Sequence, residues 1–304
     1  MNNHEASRLT FILTLPLFLG IGITRLVSIA HQDIWLSIII GTLIGTFINF
    51  LFTALPPKEN RYFIMLYSFI LLVIGLTSIT QMTSKIYLNN TPLLLIIIPL
   101  LILIYYLTQK KEKTIYYVTN LLFIATGTLM IISLIGIIPH FNFNHFLPVY
   151  QCNLRYLLMG SLNYALISTT PFVLLPNHRQ QYKLKNYLIA SLFVLFLLGG
   201  MIAVLGYPLA SSYAYPEYVL LKRITLFAGF EKILLLGWFF TFFPLLALAG
   251  INLKKNTNQL TVGILLIIAL IITMTPWLTD LINLYFSHLL LSCVLLAFLG
   301  KLIK

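Results

Sequence analysis

Acidic residues are scarce in this chain: seven Asp and Glu stand against nineteen Lys and Arg among 304 residues. Charged residues of either sign make up 9% of it, where a soluble domain carries about a quarter. A soluble domain of useful size is therefore excluded. Cysteine is equally rare, with Cys152 and Cys293 alone, so neither a disulfide framework nor a CxxC metal site is expected. HExxH, GxSxG and P-loop patterns are absent, and His31, His140, His145 and His288 lack a carboxylate at metal-ligand spacing. The expectation is a protein that is not an enzyme and holds no metal or cofactor. The net charge of +12 comes without a basic patch interleaved with aromatics, so no nucleic-acid partner is expected.

What the chain has instead is apolar length: 60% of its residues are hydrophobic and its mean hydropathy is +0.96. Ten apolar stretches, segments one to ten, run over residues 9–29, 34–55, 62–82, 91–108, 115–138, 157–176, 186–206, 229–251, 260–276 and 281–300. Crossing a bilayer core of about 30 Å takes roughly 20 helical residues. The first stretch is too long for an ordinary signal-peptide core and reads as a retained helix.

The basic residues sort by connection. Arg8, Lys58, Arg61, Lys110, Lys111, Lys113, Arg179, Lys183, Lys185, Lys254, Lys255, Lys301 and Lys304 fall at the amino terminus, the even-numbered connections or the carboxyl terminus. Lys85, Arg155, Lys222 and Arg223 fall on the odd-numbered connections, and Arg25 and Lys232 lie within or at the edge of segments. By the positive-inside rule both termini are expected in the cytoplasm, with the whole chain, 1–304, forming a single transmembrane domain in the cell membrane.

Two segments carry backbone breakers at mid-depth. Segment one has Pro16, Gly20 and Gly22; segment six has Gly160-Ser161-Leu162-Asn163-Tyr164 followed by Ser168-Thr169-Thr170-Pro171. Interrupted helices at that depth are tolerated where they line a cavity. The two segments are five apart, as in all-α transporters built from two five-helix inverted repeats (the LeuT-like fold), whose substrate sits between the broken helices. Repeat one would span about 9–138, and repeat two about 154–276 plus the last helix, 281–300. The expected ligand-binding residues are Gly20, Ile21, Gly22 and Thr24 in segment one and Ser161, Asn163, Ser168 and Thr169 in segment six. Thr77, Ser78 and Gln81 of segment three form a side wall, and Ile21 and Phe172 set the size of the ligand's side chain. Exposed helix amino termini suit a carboxylate and freed carbonyls an ammonium group, so the expected ligand is a small zwitterion. A bulky change at Gly22 is expected to abolish binding and leave membrane insertion intact. The same glycines and hydroxyls also serve helix packing and interhelical hydrogen bonding.

Acids are missing from the segment interiors: only Glu231 approaches one, beside Lys232. Carriers coupled to protons or cations place an ionisable group inside the bundle, and this chain offers almost none.

The runs Phe146-Leu147-Pro148-Val149, Gly160-Ser161-Leu162, Tyr215-Pro216, Leu220-Leu221-Lys222-Arg223-Ile224 and Phe230-Glu231-Lys232-Ile233, with Trp238, resemble the B subunit of spore germinant receptors. The opening does so too, in Gly20-Ile21-Gly22-Ile23 and Gln32-Asp33-Ile34-Trp35-Leu36-Ser37. The resemblance is spread from about residue 15 to 250. It departs from the family at Thr24-Arg25, where a proline is common, and in the absence of an acid from segment six.

That resemblance implies a member of the amino acid, polyamine and organocation transporter superfamily with ten helices in a five-plus-five arrangement. It implies a nutrient-sensing role in sporulation and germination, in the spore inner membrane, beside A and C subunits. The nutrient would be small, often an amino acid, and Thr241 of segment eight would reach its cavity. An amino-acid permease of the same superfamily and a ligand-free membrane assembly subunit are the alternatives.

Overall fold

The computed structural model describes residues 3–18, 21–54, 61–174, 184–224 and 229–281. Helices lie on each of the first nine apolar segments; residues 282–304, which carry nearly all of segment ten, are outside the described residues. Segment one is α1 (Asn3–Thr14), a 3-10 turn (Pro16–Phe18) and α2 (Ile21–Ala30). Segments two to five are α3 (Ile34–Ala54), α4 (Arg61–Met82), α5 (Leu93–Thr108) and α6 (Glu112–Ile137). Segment six is α7 (Leu154–Ser168) and α8 (Thr170–Leu174), and segment seven is α9 (Leu184–Ser212). The short α10 (Pro216–Leu221) precedes segment eight, α11 (Phe230–Phe239) and α12 (Phe242–Asn256); α13 (Gln259–Met274) is segment nine.

No strand occurs among the described residues. Five helical stretches there are long and apolar enough to cross a membrane: Gly22–Leu51, Arg61–Tyr87, Glu112–His140, Leu184–Ser212 and Phe230–Asn256. The first of these passes through the turn His31–Asp33, where His31 takes the left-handed region at φ 54. The chain is thus an all-α integral membrane protein. Many hydroxyls inside these helices return their protons to their own backbone, as Thr119 to the Ile115 carbonyl at 2.8 Å and Ser133 to that of Leu129 at 2.8 Å. That local bonding lets an apolar helix carry a hydroxyl without a partner from a neighbour.

Contacts between the connections divide them into two sets. Among the odd ones, Asp33 accepts from the Tyr150 and Cys152 amides at 2.8 and 3.0 Å, and His31 stacks on Tyr207 with centroids 4.5 Å apart. The Tyr87 hydroxyl donates to the Lys232 carbonyl at 2.9 Å, and Lys85 lies 5.6 Å over the Tyr215 ring. Among the even ones, Arg61 donates to the Asn256 carbonyl, Lys255 pairs with Glu112, and Gln259 donates to the Thr108 hydroxyl at 3.4 Å. Each of these contacts joins two odd or two even connections, or a connection to the segment end on the same side, as with Lys232 and Thr108. The division matches the sorting of the basic residues.

Helix pairing is led by α3 on α7 and α4 on α12. The α3–α7 seam is built from small residues: a Cβ added to Gly41 would stand 2.6 Å from the Ser161 carbonyl oxygen, and one on Gly160 2.9 Å from the Ser37 hydroxyl. Gly45 lets the Tyr187 hydroxyl of α9 approach within 2.0 Å of its missing Cβ. Without a hydrophobic driving force between helices, such close backbone approach is what holds them together in lipid.

Candidate functional site

The two breaker-rich segments are interrupted and meet. In segment one the helix stops at Thr14, and Pro16–Phe18 forms a buried 3-10 turn closed by the Phe18 amide on the Leu15 carbonyl at 3.0 Å. Proline has no N–H for the ladder, which accounts for the stop. The Leu17 carbonyl oxygen lies 2.0 Å from where a Gly22 Cβ would be. Only glycine accepts that approach.

Segment six is interrupted for one residue, at Thr169, which stays in the right-handed helical region at φ −85 and ψ −3 with its amide on the Ala165 carbonyl four residues back at 3.1 Å. Pro171 then removes a donor one residue into the next piece. Phe18 stacks on Tyr164 with centroids 4.9 Å apart, and Ile167 Cδ1 lies 4.0 Å from the Cβ position of Gly22. From segment three, the Tyr67 hydroxyl donates to the Thr170 hydroxyl at 3.3 Å. The two interruptions therefore share one region walled by α4. It contains no carboxylate from the described residues.

The expected ligand-binding residues divide by placement. Gly22 and Thr169 lie at the interruptions, and Thr24 is half-buried in α2. Gly20 and the side chains of Ile21 and Phe172 lie outside the described residues. Ser161 is drawn into the α3 seam, with its hydroxyl on the Leu157 carbonyl at 2.8 Å. Ser168 pairs with the Tyr187 hydroxyl of α9 at 2.9 Å. Thr77 faces segment nine, its hydroxyl 3.5 Å from that of Thr273. Thr169 and Thr241 each donate to their own backbone, to Leu166 at 2.9 Å and Trp238 at 2.6 Å. Asn163 and Ser78 are buried and Gln81 is half-buried. The expectation that a bulky residue at Gly22 blocks binding selectively needs correction: its Cβ would strike backbone, so the substitution remakes the interruption itself.

Three contributors were not anticipated. Phe18, Tyr164 and Tyr67 looked like ordinary apolar-segment aromatics, and only the fold reveals that they meet at the interruptions. Segment eight is broken as well, between Phe239 and Phe242. Pro244 was its signal, because it cannot donate to the Phe240 carbonyl four residues back, which takes the Phe243 amide at 3.4 Å instead.

On the odd-numbered side the connection between segments five and six is tied to α9 and to the turn after α2. Asn142 and His145 both bond the Ala203 carbonyl, at 2.9 Å each, where α9 kinks at Gly206. Gln32 donates to the Pro148 carbonyl. Burial, then the neighbouring Asp33, pushes the Cys152 thiol up, and burial, then Glu217, pushes the Tyr215 hydroxyl up. Among the described residues there is no cluster of three His, Cys, Asp or Glu suited to a metal ion. Compared with protein-family models and with curated proteins, the chain matches none.

Proposed function

We propose that this chain is the nutrient-sensing subunit of a spore germinant receptor, binding a small zwitterion such as an amino acid between interrupted segments one and six. The observation that carries this reading is the meeting of the two interruptions, through Phe18 on Tyr164 and Gly22 beside Ile167. Backbone groups freed at such ends supply donors for a carboxylate and acceptors for an ammonium group. The helix pairing adds support for a ten-helix, five-plus-five inverted repeat. Moving every segment five along exchanges the contacts of one with seven for those of six with two, and four with eight for nine with three. It likewise exchanges one with eight for six with three, and leaves three with eight and two with seven as they are. Transporters of that class bind at the repeat interface.

Sensing is favoured over proton- or cation-coupled uptake because no acid among the described residues lies at the interruptions. In this reading both termini are cytoplasmic, and A and C subunits complete the receptor in the spore inner membrane.

The test is thermal unfolding of the full chain in detergent across amino acids and small nutrients, with Ile167→Trp to crowd the contact with Gly22 and Gly199→Ala as a folded control. A ligand for the folded state raises the midpoint with its affinity. A selective rise lost only in Ile167→Trp supports the site. No rise with any compound, together with normal germination of spores lacking the protein, sinks it. Accumulation of the same ligand in proteoliposomes would shift the assignment to a permease.

A further inference from the structure

Away from the interruptions of segments one and six, a cavity of about 270 Å³ opens between α4, α5, α6 and the broken segment eight. Its walls are wholly apolar, with Leu103 and Leu107 from α5, Val118 and Leu122 from α6, and Phe240 and Phe243 on either side of the break at Thr241. A cavity of about 150 Å³ lined by Leu, Ile and Phe stays dry and takes up benzene, so hydrocarbon, not water, suits this larger one. Leu103 and Phe240 are 41% and 37% exposed. They join the cavity to the apolar outer surface of the bundle.

The same cavity runs toward a cluster of lysines. A Cβ on Gly250 would touch Ile104 and Thr108 at 3.2 and 3.0 Å, so α12 runs beside the last turns of α5. Lys110 and Lys111 follow three and four residues after Leu107, Lys113 lies in the first turn of α6, and Lys254 and Lys255 end α12. Lys255 pairs with Glu112, which binds these ends together. Lys110 lies 4.4 Å over the exposed Tyr106 ring and Lys113 5.9 Å over that of Tyr117, as cations and tyrosines do at a membrane surface.

We propose that this corner binds one anionic phospholipid, with an acyl chain in the apolar cavity and the phosphate among Lys110, Lys111 and Lys113. The chain seat reaches Leu107, three and four residues before Lys110 and Lys111, so one lipid would use both, where a free anion or a bare hydrocarbon would use only one. Basic pockets at the membrane surface recognise anionic headgroups, each lysine contributing about fivefold in binding. The inference is independent of any nutrient site.

The test is native mass spectrometry of the full chain in detergent, titrated with phosphatidylglycerol, phosphatidylcholine or inorganic phosphate. Phosphatidylglycerol should be retained at least about tenfold over phosphatidylcholine. The Lys110→Gln/Lys111→Gln/Lys113→Gln variant should remove that preference. Leu103→Trp should lower retention of both lipids, while Leu121→Trp, on an exposed face, should leave it unchanged. Equal retention of the two lipids overturns the proposal, as does full competition by phosphate or indifference to Leu103→Trp. Photolabelling from a diazirine along the acyl chain puts the question to the unaltered protein: peptides with Leu103 and Phe240 should label above those with Leu121 and Ile267, and even labelling overturns the seat.

Discussion

The ring of Phe18 lies on that of Tyr164, with centroids 4.9 Å apart and planes 26° from parallel, so the interruption of segment one is fastened to the body of segment six. Tyr164 is fully buried, and on the same helix the Ser161 carbonyl faces Gly41 of α3 while the Ser168 hydroxyl pairs with Tyr187 of α9. One helix thus touches segment one on one side and segments two and seven on the others.

The intact side is the first to test. Gly41→Ala places a Cβ 2.6 Å from a backbone carbonyl oxygen of α7, whereas Gly199 has nothing within 4 Å of its Cβ position. Overpacking of this kind costs about 1–3 kcal/mol, while Gly→Ala in an open helix position gains up to about 1 kcal/mol. Unfolding midpoints in detergent should move in opposite directions, and a shared direction would remove the small-residue seam from the account.

Ser168 and Tyr187 offer a sharper measurement. Their hydroxyls are 2.9 Å apart and buried between α7 and α9. A double-mutant cycle of Ser168→Ala and Tyr187→Phe should give a coupling of about 0.6–1.7 kcal/mol, the range of interhelical hydrogen bonds in membranes. A coupling near zero would leave Ser168 available as a ligand group.

Asp33 should govern Cys152. Burial disfavours the Cys152 thiolate first and the Asp33 charge adds to it, so maleimide labelling, in a Cys293→Ser background, should begin only above the ordinary thiol range. The thiolate is the reactive form. Asp33→Asn removes the like charge, lowers the thiol's pKa and moves the onset of labelling to lower pH. An unmoved onset would mean that access alone limits the reaction.

Gly206 stands at φ 71 and ψ 161, a region that residues with a Cβ essentially do not enter. Gly206→Ala should cost about 1–3 kcal/mol and disturb the Ala203 carbonyl that Asn142 and His145 share. Chymotrypsin should then cut at the exposed Phe143 faster than in the unaltered protein; equal cutting rates would detach the kink from the connection.

Much of this architecture was readable from residue order. Pro16 and Pro171 interrupt helices by backbone chemistry, Gly22 admits the close approach of the Leu17 carbonyl after the first of them, and the basic residues mark sides because charge avoids hydrocarbon wherever it falls. Facing is different. Hydroxyls such as Ser161, Ser168 and Thr77 look alike in an apolar run, and whether each meets a cavity or a neighbouring helix depends on rotation about the helix axis. The nearly uniform hydropathy around these segments leaves that rotation unmarked. The Gly41-to-Gly45 spacing was the one available clue to the seam, and Tyr164 gave none.

Ser37, Gly41 and Gly45 bring α3 so near to α7 and the Tyr187 side chain that neither lipid nor water has room to part them. Mechanically, segments two and six form a keel. The turn Pro16–Phe18 leans on that keel through the ring of Phe18 on Tyr164, a contact between side chains where the seam itself is a close approach of backbones.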